Sequence, residues 1–229
     1  MSAAREEILG RIRGALADVP ESERPADVAV AADYRRRGTR DGDELVSVLV
    51  QRLEDYHAVV RQVGPGQLPR ALTEACSELG LRRIVVPAAL PAQWRPDGVE
   101  LIEDERLSAA QLDRIDGAIT GCAGAIAETG TLILDGQGVS GRRVITLVPD
   151  HHICVVQLDQ IVESVPEGVA AVRAAVVEEG APITLVSGPS ASSDIELSRV
   201  EGVHGPRHLR VLIVTEAECA AAGRSGAGA

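Results

Sequence analysis

Apolar residues return every three or four positions near the start of the chain: Ile8, Ile12, Ala15, Leu16 and Val19, set between Arg and Glu. That spacing predicts an amphipathic helix over residues 3–18. Pro20, with no N–H to continue it, stops the helix. Residues 20–40 are rich in Pro, Ala, Arg and Asp without a clean period, so they read as an extended linker. Residues 1–40 are therefore expected to form a helical arm with its linker, free to pack on a partner or to join a second copy in a homo-oligomer.

From Asp41 the rhythm becomes that of a folded domain. Leu45, Val48, Leu49, Leu53, Tyr56 and Val60 form one helical stripe, and Gln67 to Leu79 form another, closed by Gly80. Arg83 to Val86, ending at Pro87, suits a buried strand; Val99 to Ile102 suits the next, and Ser108 to Leu112 a short helix. Between Gly117 and Val156 the pattern changes to strand–turn–strand. Its apolar runs are Ala118–Thr120, Ala125–Ala127, Thr131–Leu134, Val144–Val148 and Ile153–Val156, with glycines between them. Such short spacings leave no room for βαβ crossovers, so antiparallel or mixed pairing is expected there. A helix then opens at Pro166, carries its apolar face from Val169 to Val177 and ends at Gly180. Strands at Ile183–Val186 and Leu209–Val214 flank a helical turn over Ser193–Arg199. The alternation predicts an α/β fold: a three-layer α/β/α sandwich with a mostly parallel mixed sheet and a β insertion, over residues 41–215. Residues 216–229, small and Gly-rich at their end, read as a disordered tail.

Composition narrows the function. The chain has no Phe, one Trp and two Tyr, so its core must come from Val, Leu, Ile and Ala, and no aromatic platform exists for stacking bases. The formal net charge is −11, against what a phosphate-neutralising surface needs, and nucleic acid is not an expected partner. No lysine occurs, which removes Schiff-base chemistry. Cys76, Cys122, Cys154 and Cys219 fit neither zinc nor iron–sulfur spacing. No secretory signal and no apolar run of membrane-spanning length is visible, so a cytoplasmic protein with reduced thiols is expected. Neither a dinucleotide fingerprint nor a P-loop is present.

Candidate chemistry concentrates in four places. In Gly121–Thr131, Glu128 sits between a strand and a glycine turn, with Thr129 and Gly130 beside it; a carboxylate there suits a base, a nucleophile or an anchor, or simply a turn. Ser187–Glu196 follows a strand and opens a helix, where amides and dipole favour an anion, so Ser190, Ser192 and Asp194 are candidate substrate contacts. Ser193 and Glu196 also form a capping box, which explains those two without a ligand. His204 lies on a turn between glycines and is a candidate acid, base or donor. In Asp150-His151-His152 the two rings must point to opposite sides of a strand, so only one can face a given site; no metal site is expected. Arg142, Arg143 and Arg207 suit a carboxylate ligand.

Three segments together resemble the lactate utilisation protein C family and its LUD domain: Ala127–Leu134, Leu147–Val156, and Ser187–Arg207 with its Ser-Gly-Pro-Ser and Gly-Val-His-Gly-Pro runs. The opening Arg5-Glu-Glu-Ile-Leu9 is similar as well, and the resemblance spans about residues 3–215. It implies a fold similar to the ribose-5-phosphate isomerase, glucosamine-6-phosphate deaminase and CoA-transferase group (NagB/RpiA/CoA-transferase-like). It also implies membership of a three-component system oxidising L-lactate to pyruvate. Two partner proteins would carry the iron–sulfur clusters and this chain would hold no cofactor. Its role would be that of an accessory or small-carboxylate-binding subunit, with Glu128 and His204 as catalytic candidates and Thr129, Gly130, Ser190, Ser192, Asp194 and Arg207 as contacts. Two alternatives remain at this point: an independent enzyme on a CoA-transferase-like fold using Glu128 as nucleophile, and a non-catalytic ligand-binding regulatory module.

Overall fold

The computed structural model describes residues 3–20, 22–24, 33–192, 200–202 and 204–215, with backbone alone at 191, 192, 200 and 201. The chain divides into two units, Met1–Arg35 and Arg36–Ala229. The first holds α1 (Ala3–Ala15), which buries none of its residues. Ile8, Ile12 and Leu16 of the predicted stripe are all about half exposed.

In the second unit, α2 (Gly42–Asp55) buries Val46, Leu49 and Leu53, one face at helical spacing. It ends sooner than the stripe predicts. His57 takes a positive φ of 67°, which breaks the helix, and Val60 belongs to β1 (Val59–Val63) rather than to the helix. α3 (Leu68–Glu78) ends before Gly80 at φ 66°, the left-handed turn that glycine enters without steric cost. β2 (Arg83–Val86), β3 (Glu100–Glu103), α4 (Ala109–Leu112) and β4 (Gly117–Thr120) follow in the predicted order. Ser108 caps α4 in a capping box with Gln111.

β5 (Gly124–Ile126), β6 (Thr131–Leu134), β7 (His151–Gln157), β8 (Ile161–Val162), α5 (Val165–Ala171), α6 (Arg173–Glu179), β9 (Thr184–Val186), β10 (Ala191–Ser192), β11 (Val200–Glu201) and β12 (His208–Val214) complete the order. The main sheet has six strands in the order β1-β12-β7-β4-β2-β3, all parallel. β5, β6, β8 and β9 form a separate four-stranded sheet in the order β8-β5-β6-β9, with both β5 and β9 antiparallel to β6. Of the strands expected between Gly117 and Val156, β5 and β6 enter this separate layer, joined by β8 and β9 from later in the chain, whereas β4 and β7 pair parallel within the main sheet instead of antiparallel.

The architecture is α/β with the parallel sheet flanked on both faces. One face packs on α3 through Leu68, Leu72, Ile84, Ile153 and Leu212. The opposite face packs on α2 and the small sheet through Leu49, Leu53, Leu132, Cys154, Val211 and Ile213. Strands covered on both faces read as continuous apolar runs, as Ile84-Val85-Val86 does.

Two further segments depart from the sequence expectation. Val144–Val148 is no strand: Arg143–Thr146 is a 3-10 turn that buries Ile145 against Val85, Leu112 and Ala118. β4 already lies between β2 and β7, and β7 between β4 and β12, so neither offers an open edge for another strand. The helix from Pro166 is broken at Val172, which is buried beside Ile126 and Ile133. Val169 and Val177 of the predicted apolar face are 59% and 66% exposed, so that face is largely uncovered. The predicted turn at Ser193–Arg199 and the tail at 216–229 lie outside the described residues.

Candidate functional site

β7 brings two adjacent histidines to the amino edge of the main sheet, and strand alternation sends them to opposite faces. His152 and its register neighbour Leu209 face a cavity of about 220 Å³. Its wall is completed by Arg143 and Thr146 from the 3-10 turn, Leu185–Ser190 from the end of β9, and His204–Pro206 before β12. Eight of the thirteen lining residues come from the segments Leu147–Val156 and Ser187–Arg207 quoted above, distant in sequence and adjacent in space; Arg143, Thr146, Leu185, Val186 and Leu209 lie outside both.

His152 is fully enclosed, and its Nε2 lies 2.8 Å from the Thr120 hydroxyl. Burial, helped by the nearby Arg143 charge, pushes its pKa down to about 4, so the ring is neutral at pH 7. The Arg143 guanidinium donates through Nη1 to the Thr146 carbonyl at 2.9 Å and hydroxyl at 3.1 Å. Burial lowers its pKa, but from so high a starting value that it stays cationic. No carboxylate pairs with it among the described residues. A half-buried arginine in a small cavity, with no carboxylate partner among the described residues, suits an anion.

Ser190 and His204 meet in this wall. The His204 N–H donates to the Ser190 hydroxyl at 3.0 Å, and the Ser190 N–H donates to the Pro206 carbonyl at 2.8 Å. β10 and β11, antiparallel, tie the two loops together just beyond. The remaining candidates sit elsewhere. Glu128 occupies the turn between β5 and β6, donates its N–H to the Glu163 carbonyl, and lines neither this cavity nor the one described next. A chain of hydroxyls connects its turn to the cavity: Thr129 to Thr131 at 2.7 Å, and Thr131 to Ser187 at 2.7 Å. Gly130 is held at φ 58° against the backbone of Arg52, where a Cβ would come within 2.8 Å. The Ser192 side chain and Asp194 lie outside what is described.

Arg207 faces the other side, where it grips Asp150 with two bonds of 2.7 and 2.8 Å and holds that carboxyl below its usual pKa. There a second cavity, of about 580 Å³, is lined by Gly80, Asp113, Asp116, Asp150, His151 and Arg207.

The first cavity lies where the amino ends of β7 and β12 meet the segment after β9, and Ser187 and Ser190 of the expected anion site line it; the helix start expected at Ser193 lies outside the described residues. At the carboxyl end of β4 the space is filled: a Cβ on Gly121 would meet Val139 at 2.9 Å and Trp94 at 3.1 Å. Arg143 was one of several candidate arginines by sequence, and Thr120 and Thr146 carried no signal; only the fold brings them to His152. Cys76, Cys122 and Cys154 are free and buried, and the Cys154 hydrogen bond, with burial, raises the Cys122 thiol well above its usual range. Among the described residues, no helix is long and apolar enough to cross a membrane.

Comparison with known proteins gives the family. The LUD domain model matches residues 93–214. A lactate utilization protein C from Deinococcus radiodurans is 52% identical over 172 residues, which cover 75% of this chain and 80% of that protein. One from Shouchella clausii is 31% identical, covering 76% and 80%. A crystal structure of a DUF162 family protein from Deinococcus radiodurans superposes with a TM-score of 0.65 at 44% identity, over 75% of this chain and 97% of that one. The quoted motifs, the domain match and these relatives agree: the chain belongs to the LUD-domain family of lactate utilization protein C.

Proposed function

We propose that this protein serves lactate utilisation as the cluster-free subunit of an L-lactate-oxidising system, and that it holds a small 2-hydroxy or 2-oxo carboxylate, lactate or pyruvate, in the Arg143 cavity. The observation that carries the reading is Arg143 itself: cationic, half-buried and facing no acid among the described residues. Around it the Ser187 and Ser190 hydroxyls and the neutral His152 ring suit a carboxylate and its neighbouring oxygen, while Leu185 and Leu209 suit a methyl group. A cavity of about 220 Å³ favours a ligand of this size over a drug-sized one. Electrons from the substrate would pass to two iron–sulfur partner proteins, since the cysteines described in this chain are buried and scattered. Acyl transfer through Glu128 has less support, because Glu128 lines neither polar cavity.

Calorimetric titration of lactate and pyruvate tests the site. R143Q should weaken binding by about 10- to 100-fold, the worth of a charge-assisted hydrogen bond; equal affinity in wild type and variant refutes it. Lactate-dependent electron transfer, reconstituted from the two iron–sulfur partners with and without this chain, tests the subunit role. Unchanged transfer and no co-purification would end it.

A further inference from the structure

The second cavity carries chemistry that the carboxylate site does not use. His208, the first residue of β12, stands in register with His151, the first residue of β7. Both rings project to the face opposite His152 and stack with centroids 4.5 Å apart. Asp150, directly before β7, completes the group, and one ligand atom from each of Asp150, His151 and His208 lies within 4.8 Å of the other two. The Nδ1 of His151 is buried without a hydrogen-bond partner. A buried polar nitrogen left unpaired marks a place where a ligand is to be looked for. Gly117 makes the arrangement possible, because any Cβ there would press on His151 at 3.0 Å.

From this we infer that Asp150, His151 and His208 form a binding site for one divalent transition-metal ion. Two imidazoles and a carboxylate suit Zn²⁺ and its neighbours, whereas Mg²⁺ and Ca²⁺ prefer oxygen alone. Bonds of about 2.0–2.2 Å in tetrahedral array place ligand atoms roughly 3.3 Å apart. Closing from 4.8 Å to that spacing takes a side-chain rotation, for which His208 is exposed. The remaining positions open onto the 580 Å³ cavity, where water completes the shell. Asp116 adds a nearby negative charge, but its carboxylate already accepts the N–H groups of Arg82 and Arg83 at 2.8 Å. Arg207 is the competitor. It occupies the Asp150 carboxylate with both bonds of its fork, and with a side chain 55% exposed it can swing into solvent when a cation takes its place.

The test is a Zn²⁺ titration of the full chain, freed of metal by chelation, followed by calorimetry and by competition with a chromophoric chelator. Wild type should bind one ion per chain. H208Q and D150N should each weaken binding by about 10-fold or more. R207Q should tighten it, because the carboxylate loses its rival. Thermal melts show that each variant is folded; His208 is exposed, and D150N gives an independent reading should H208Q fail to fold. Absence of stoichiometric binding by wild type, wild-type affinity in both H208Q and D150N, or weaker binding by R207Q would each overturn the assignment.

Discussion

His152 gives a pH signature that follows directly from its burial. Its folded-state pKa is about 4, against an ordinary value of 6.5, because the ring is enclosed and Arg143 is near. The unfolded chain therefore binds a proton that the native state refuses. For such a group stability is fully present above pH 6.5 and is lost as pH falls through the window from 6.5 to 4. Each pKa unit is worth about 1.4 kcal/mol, so lowering the pH from 7 to 5 costs the native state about 2 kcal/mol from this one residue. H152Q keeps a polar side chain near Thr120 and removes the titration. Urea unfolding of wild type and H152Q at pH 7, 6 and 5 isolates the effect, since all other groups are common to both. The stability difference between them should shift by about 2 kcal/mol in favour of the variant on going from pH 7 to 5. Parallel pH profiles would show that His152 is solvated and refute the reasoning, and with it the dry, neutral wall assigned to the carboxylate cavity.

Two further predictions concern the segments around the site. The buried Glu163 carboxylate accepts the Thr39 and Arg40 N–H groups at 2.5 and 2.6 Å and pairs with the Arg40 guanidinium at 2.8 Å. E163A leaves both amides unpaired, while the half-exposed Arg40 loses little, so denaturant unfolding should show a loss of about 3 kcal/mol; a loss under about 1 kcal/mol would mean that water replaces the carboxylate. G130A forces an L residue to φ 58° and drives its Cβ into the Arg52 backbone, which should cost about 2–4 kcal/mol in a thermal or urea melt. If G130A is neutral in stability but weakens carboxylate binding, Gly130 serves the ligand rather than the turn.

Most of the elements were legible in the sequence because their signals are local. The stripe in α2, the Gly80 stop after α3, the Ser108 cap and the run Ile84-Val85-Val86 each state their structure within a few residues. Local pattern fails where tertiary neighbours decide. Val144–Val148 has the apolar content of a strand, yet every strand beside it is already paired on both edges, so Ile145 is buried from a 3-10 turn instead. The valines of α5 and α6 carry a helical stripe, but periodicity cannot say whether a partner surface exists to cover it. β1, β8 and the β10–β11 pair are short, and their identity comes from the strand alongside them.

By itself the sequence determined the family, the α/β class and the segments that matter, because those rest on residue identity and short-range spacing. It singled out Ser190 and His204, which share one cavity wall, and Glu128, which stands away from it. Only the tertiary structure decided that Arg143 faces His152 with no acid paired to it among the described residues, and that His151 and His208 come into register on the other face. The physical reason is that ligand sites are made of distances between residues far apart in the chain. Here those distances are set by the parallel pairing of β7 with β12, a long-range contact that no local pattern encodes.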